Sequence, residues 1–350
     1  MTIDEKLVDA NVQRLLAEHD PKGSKVEFLG AQFDLGLAWI HFEPGCGGLG
    51  LAPKLQNRVN AALLEVGAPL CWPLNPIGYG MCGPTVYTHG SEEQKARYLR
   101  PLFTAEEIWC QLFSEPSAGS DVAGLTSKAV RDGEEWVVNG QKVWTTLAHV
   151  SRWGCLVTRT DPDAPKHKGL SYFVVDMHQP GVDVRPLRQM TGDAEFNEVY
   201  FTDARVSDSE RLGKAGDGWR VALTTLMNER VAIGGAQAPR GSGPIGESLR
   251  LWSELGSHQK SVALQDRLMS LWSKAEVARL TNIRASQNRA TGVPGPEGST
   301  GKLAFAENNK EIHEFNMELL GASAMLYGSY EIERSAKAMG AGSTQQQFLR

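Results

Sequence analysis

Between Trp136 and Phe201 the sequence reads Trp136-Val137-Val138, then Lys142-Val143-Trp144-Thr145-Thr146, then Ser171-Tyr172-Phe173-Val174-Val175, then Glu198-Val199-Tyr200-Phe201. These short runs are rich in β-branched and aromatic residues, the side chains that suit a pleated, half-buried surface. Turn signals fall around and between them: Asp132-Gly133, Asn139-Gly140, Pro180-Gly181 and Thr191-Gly192-Asp193. No helix-length pattern intervenes, so the stretch predicts an antiparallel β-domain and not a βαβ array.

Outside this stretch the period changes. Towards the N-terminus, Leu7, Val12, Leu15 and Leu16 stand at helical spacing, and Pro53 can open a second helix over Leu55 to Leu64. His89-Gly90-Ser91-Glu92-Glu93 is a cap-like start for Gln94 to Leu99. After Asp217 the helical period returns, with Trp219, Ala222, Leu223, Leu226, Ala232 and Ile233 on one stripe, Val262 to Ala285 as a second and Leu303 to Leu326 as a third. Gly- and Pro-rich residues 234–246 and 291–301 predict loops. The expected fold is α+β and multidomain: an N-terminal α-helical domain over 1–108, a middle antiparallel β-domain over 109–213 and a C-terminal helical bundle over 214–350.

Composition excludes several classes of function. With 36 basic against 41 acidic side chains, a net charge of -5 and 41% hydrophobic residues, the chain is neither a disordered segment nor a basic nucleic-acid binder. No run approaches the roughly 18 to 20 apolar residues of a membrane helix, and Met1-Thr2-Ile3-Asp4-Glu5-Lys6 carries acids where a leader would be basic and apolar. A cytoplasmic protein is expected, with neither nucleic acid nor membrane as partner. Cys46, Cys71, Cys82, Cys110 and Cys155 form no C-x-x-C pair, and the histidines show no H-x-H or H-E-x-x-H spacing, so no disulfide framework and no metal site are expected.

Gly45-Cys46-Gly47-Gly48-Leu49-Gly50 matches G-x-G-x-x-G after the strand-like Leu37-Ala38-Trp39-Ile40-His41-Phe42. That context can place a pyrophosphate on a helix N-terminus. Pro44 precedes it, however, and Cys71-Trp72-Pro73-Leu74-Asn75-Pro76 follows where a second strand and an acidic ribose partner would be needed. A glycine-rich turn is the favoured reading, and a nicotinamide site the minor one.

Two segments of the β-domain have chemical content. Gln111-Leu112-Phe113-Ser114-Glu115-Pro116-Ser117-Ala118-Gly119-Ser120-Asp121 leads from a strand into a turn of hydroxyls and small residues, which can offer donors to a polar ring edge or a phosphate; on composition alone a surface loop is the favoured reading. In Lys142-Val143-Trp144-Thr145-Thr146, Trp144 could pack beside a flat cofactor while Thr146 donates to it; the plainer reading is a core tryptophan on a strand. A third feature is Leu226-Met227-Asn228-Glu229-Arg230-Val231, where Glu229 falls on the apolar stripe 219, 222, 226, 229, 233. A carboxylate there is either a desolvated base or the edge of the stripe, reaching solvent or a neighbouring cation.

These residues carry a resemblance. Ser114 to Val122 resembles the first signature of the acyl-CoA dehydrogenase family, and Gly140-Gln141-Lys142-Val143-Trp144-Thr145-Thr146 resembles the family's flavin-stacking strand. Phe196 to Val206, with Leu212-Gly213 and Gly218-Trp219, is similar to its β-domain exit. The helix–β–helix order agrees as well. The resemblance implies noncovalent FAD with an acyl-CoA thioester across its ring. It places Leu112, Phe113 and Ser114 at the isoalloxazine edge, Gly119 and Ser120 at the flavin and thioester side, and Trp144, Thr145 and Thr146 at the ring and ribityl chain. Met227, Asn228 and Arg230 would line the substrate with Ser120. Glu229 falls where one branch of the family carries its catalytic carboxylate, immediately before an Arg.

The implied reaction is α,β-dehydrogenation to a trans-2-enoyl-CoA, a step of fatty acid β-oxidation, with an electron-transfer flavoprotein as acceptor and a homodimer or homotetramer as assembly. The sequence also departs from the family. It ends at Arg350 before the usual Gly-Thr turn, the Arg-x-x-Phe-Gly segment is not recognisable near 254–262, and Glu318 and Ala322 stand where Gln and Gly are usual. By the resemblance, the last two differences would lie on the face that grips a neighbouring subunit's FAD. They imply the alternative of a non-catalytic or half-site subunit completed by a heteromeric partner.

Overall fold

The structure is a computed structural model of the 350-residue chain; it describes all residues except 235–238, 291–296, 327–330 and 332–341, with backbone alone at 230–234, 289–290 and 297–299. The chain forms two compact units. Among the described residues, Met1–Leu187 and Ala194–Asn228 build the first, while Arg188–Asp193, the segments between 229 and 331, and 342–350 build the second.

In the first unit, α1 (Ile3–Glu18), α2 (Lys25–Asp34), α3 (Gln56–Glu65), a π-helical turn at Gly78–Cys82, α4 (Gly83–His89) and α5 (Glu92–Phe103) precede the sheet. Capping explains where two of these begin: the Thr2 and Ser91 hydroxyls each accept from the third backbone amide, and Glu5 and Gln94 reach back to the cap amide. The expected helices at Leu7, Leu55 and Ser91 are all present.

Eight strands follow: β1 (Trp109–Leu112), β2 (Lys128–Asp132), β3 (Glu135–Lys142), β4 (Trp153–Arg159), β5 (Leu170–Asp176), β6 (Val182–Pro186), β7 (Asn197–Ser207) and β8 (Arg211–Leu212). Their order is β6-β7-β3-β2-β4-β5-β8, with β1 beside β4. The long pairings are antiparallel, but β1 runs parallel to β4, Trp109 opposite Trp153 and Leu112 opposite Leu156. β5 shows why the sheet is apolar on both faces. Tyr172 and Val174 join a core with Leu29, Phe103 and Val221, while Phe173 and Val175 join Leu112, Val138 and Val199.

Two local expectations change. Gly133 (φ +64°) turns the β2–β3 hairpin as expected, but Asn139-Gly140 is no turn: it is a bulge inside β3, where the register to β7 slips. Gly140 has φ +149°, and a Cβ there would collide with Ser127. The strand expected over Lys142–Thr146 stops at Lys142, because the backbone turns left-handed at Trp144.

The helix α6 (Gly218–Gly234) starts in the first unit, where Thr225 bonds Thr85 at 2.9 Å and Tyr172 at 3.0 Å. In the second unit, α7 (Pro244–Glu254), α8 (Val262–Ala290) and α9 (Glu297–Leu320) enclose Ile245, Leu251, Leu268, Leu271, Ile312, Phe315 and Leu319, and α10 (Thr344–Leu349) follows. The expected loop at 291–301 is helical from Glu297, and its earlier part lies outside the described residues, as do 235–238 of the other expected loop. Among the described residues no helix is long and apolar enough to cross a membrane.

Candidate functional site

β1 delivers the chain into the hydroxyl-rich loop. Leu112 is fully buried, and Phe113 lies edge-on to Tyr172, their ring centroids 5.8 Å apart. Both side chains belong to the interior, so a ligand at this edge would meet these two residues through main chain alone. Ser114 is half-buried, and its carbonyl accepts from the Val143 amide at 2.9 Å. Glu115 and Ala118 exchange backbone hydrogen bonds of 3.0 Å, which folds the loop into a tight bend. Gly119 and Ser120 are exposed, and a Cβ built at Gly119 meets nothing within 4 Å. The loop tip is tied by Lys166, which places its ammonium 2.9 Å from both carboxylate oxygens of Asp121.

The second segment is a strained turn. Trp144 and Leu147 both have φ +60°, a region that non-glycine residues rarely occupy and that concentrates at functional sites. The turn is held from the side: the Thr145 amide donates to the Asn197 carbonyl at 3.0 Å, the Thr145 carbonyl accepts from the Asn197 amide at 3.1 Å, and the Leu147 amide donates to the Glu195 carbonyl at 3.0 Å. Trp144 is therefore no core tryptophan. It remains 57% exposed, edge-on to Phe196. Thr146 is half-buried, whereas Thr145 is fully buried with a hydroxyl that has no partner among the described residues.

The Val143–Ser114 bond brings the two segments together. An indole open to solvent, small residues with space beside them, and the hydroxyls of Ser114, Ser120 and Thr146 suit a flat heterocycle with a polar edge. The orphaned Thr145 hydroxyl is one more donor at the same turn.

Two residues at this junction were assigned no role by the sequence reading. Lys142 is fully buried; its ammonium donates to the Phe113 carbonyl at 3.0 Å and to Glu115 Oε1 at 2.9 Å. Glu115, only 4% exposed, also accepts from the Ser127 amide at 3.0 Å and from the Thr126 amide and hydroxyl at 2.7 and 2.8 Å. Burial opposes the charge on Glu115, but the neighbouring ammonium and these donors outweigh it and hold the carboxyl down at about 2. Burial pushes the Lys142 ammonium down to about 8, against the opposing pull of Glu115. A lysine at the head of an apolar and hydroxyl run was the available signal.

The helix segment divides between the units. In the first, Met227 is 57% exposed, and Asn228 donates back to the Thr224 carbonyl at 2.9 Å. In the second, Glu229 keeps 22% of its side chain exposed and places Oε1 3.4 Å from the Lys302 ammonium on α9. The stripe position is thus an ion-paired edge and not a fully desolvated carboxylate. The Arg230 side chain lies outside the described residues. Glu318, where the family resemblance leads one to expect Gln, pairs with Arg267 across α8 and α9.

Gly45–Gly50 forms a closed turn. Leu37–Phe42 is not a strand; the Ala38 and Trp39 amides both donate to the Gly47 carbonyl, and a Cβ at Gly48 would strike the Trp39 and Phe42 carbonyls. Gly47 and Gly48 serve close packing, Gly45 and Gly50 supply left-handed backbone, and with no strand before them the nicotinamide reading loses its context.

Residues 5–106, 110–204 and 216–346 match the models for the acyl-CoA dehydrogenase N-terminal, middle and C-terminal domains. The acyl-CoA dehydrogenase IpdE1 of Mycobacterium tuberculosis is 37% identical over 299 residues, which cover 83% of this chain and 74% of that protein. The chain belongs to the acyl-CoA dehydrogenase family. FadE34 of the same organism, also named an acyl-CoA dehydrogenase, is 40% identical over 319 residues covering 90% of this chain and 44% of that protein, so the chain spans less than half of FadE34. Among solved structures, the ChsE4-ChsE5 complex from Mycobacterium tuberculosis contains a similar chain, with a TM-score of 0.69 and 25% identity, covering 99% of this chain and 91% of that one. Within this acyl-CoA dehydrogenase family member, the paired loop and turn lie in the region that matches the middle domain.

Proposed function

We propose that this chain is an FAD-dependent acyl-CoA dehydrogenase that converts an acyl-CoA thioester to its trans-2-enoyl-CoA and passes the electrons to an electron-transfer flavoprotein. One observation carries the reading: a solvent-open Trp144, held in a strained turn, is tied through Val143 to the Ser114–Ser120 loop with its open glycine. Leu112 and Phe113 would meet the flavin by main chain, Ser114, Ser120 and Thr146 by hydroxyl, Gly119 by close approach, and Trp144 and Thr145 along the ring and its side chain. FAD, when bound, would supply a two-electron acceptor for the hydride from the β-carbon.

The chain's own part is positional and acid–base. Glu229 would take the α-proton next to the thioester carbonyl; its Oε1 lies 3.4 Å from the Lys302 ammonium, which fixes the direction of the side chain. A positioned base contributes roughly 10²- to 10⁴-fold. Met227, Asn228 and Arg230 would line the acyl-CoA. Donors near the carbonyl oxygen would stabilise developing negative charge, as an oxyanion hole does. An absorbance titration of the purified protein with a panel of acyl-CoA thioesters tests cofactor and substrate together: a yellow protein bleached by one class of thioester is expected, and a protein that takes up no flavin and no thioester would remove the reading.

A second reading is favoured by Glu318. Its carboxylate on the bundle is a poor neighbour for a pyrophosphate, and the similar solved chain belongs to a complex of two named components. As a half-site subunit, the chain would be colourless alone and would take up FAD only on mixing with a heteromeric partner; as a homodimer or homotetramer it would be yellow alone.

A further inference from the structure

We propose that the buried Lys142–Glu115 pair is a positioning joint that fixes the Phe113–Ser120 loop against the Val143–Leu147 turn, and that what it secures is cofactor affinity more than folding. This rests on the flavin reading above. β1 ends at Leu112 and β3 at Lys142, and these two strands do not pair with each other: β1 lies on β4, and β3 lies between β2 and β7. In the sheet they are linked only indirectly, through β2 and β4, so no ladder bond ties the two site segments directly to each other.

The joint supplies that tie. Three successive residues, Phe113, Ser114 and Glu115, are each bound from the end of β3: the Phe113 carbonyl and the Glu115 carboxylate by the Lys142 ammonium, and the Ser114 carbonyl by the Val143 amide. The same carboxylate takes the amides of Thr126 and Ser127, so it clamps both ends of the bend that presents Gly119 and Ser120. Apolar contacts would hold the segments together yet let them slide, whereas charge-assisted bonds near 3 Å fix distance and direction. A buried ion pair adds little net stability over apolar residues of the same size, so its presence between two site segments argues for a geometric use. The pair touches no reacting atom; both residues act through the segments they hold.

The test uses Lys142→Met, Glu115→Gln and the double variant E115Q/K142M, with Val138→Ala as a control from the core of the same strand. Each is compared by thermal unfolding without flavin, by FAD dissociation constant, and by amide hydrogen exchange of the flavin-free chain. Both single variants are expected to weaken FAD binding about tenfold or more while Val138→Ala changes it less than about twofold. The double variant should recover the thermal midpoint without recovering FAD affinity. Amides of 116–120 and 144–147 should exchange faster together in both single variants and stay unchanged in Val138→Ala. Equal loss of affinity in the control, or full recovery of affinity in the double variant, would overturn the joint. If the unmodified chain takes up no FAD, the flavin reading fails, and exchange decides the joint alone: coupled release of the two segments supports it, and unchanged or control-like rates overturn it.

Discussion

Lys142 Nζ stands 2.9 Å from Glu115 Oε1, and neither side chain reaches solvent. The carboxyl is held at about 2 in the folded chain against an ordinary value of 4.5. The folded state therefore keeps its proton off where the unfolded state takes one up. The resulting stabilisation is complete above about pH 4.5 and is lost as pH falls towards 2. The downward shift of the Lys142 ammonium works in the opposite direction at neutral pH, so the pair as a whole adds little net stability. Urea unfolding of the wild type and Glu115→Gln from pH 6 to pH 2.5 should give curves that converge in acid; parallel curves would show that Glu115 has no such role.

Trp144 combines exposure with a left-handed backbone. Glycine adopts that backbone without the cost of about 1–2 kcal/mol that an L side chain carries there. Trp144→Gly should therefore unfold at the same temperature as the wild type or slightly above it when flavin is absent, yet bind FAD more weakly. A clear loss of flavin-free stability would mean that the indole is structural.

Thr145 places an unpartnered hydroxyl in the interior. An unmade hydrogen bond of this kind costs roughly 1–3 kcal/mol, and valine has nearly the same shape. Thr145→Val should raise the flavin-free unfolding free energy by about 1 kcal/mol. A fall in stability would reveal that the hydroxyl has a partner in solution.

Glu229 is the proposed base. Glu229→Gln should lower turnover by roughly 10²- to 10⁴-fold while FAD remains bound. Lys302→Met, which removes an exposed ion pair, should change stability by less than about 1 kcal/mol. Retained turnover in Glu229→Gln, followed by stopped-flow flavin absorbance, would take Glu229 out of the mechanism.

Much of the fold was legible because period and punctuation agreed. Ser91 capped its helix, Gly133 turned its hairpin, and Ser171–Val175 became a strand buried along its length. Asn139-Gly140 misled because the same dipeptide that favours a turn also relieves a bulge, and the pairing to β7 on both sides of it, distant in sequence, decides between them. The site was legible as two segments, but not as a joined pair. The bonds of Lys142 to Phe113 and Glu115 span residues far apart in the chain, and no local pattern reports them. Glu229 was ambiguous for a related reason: one turn of helix gives its face, while Lys302, which settles its environment, comes from another helix.

β1 and β4 run in the same direction, so the forty residues 113–152, which carry β2 and β3, must be laid out before that pair can close. Chain entropy resists such a closure until the β2–β3 hairpin within them has zipped. Ser114 and Trp144 both lie on this stretch, so the surfaces they present are shaped late in assembly. A nascent chain that has not yet emerged as far as Arg159 lacks the β4 strand on which β1 is seated.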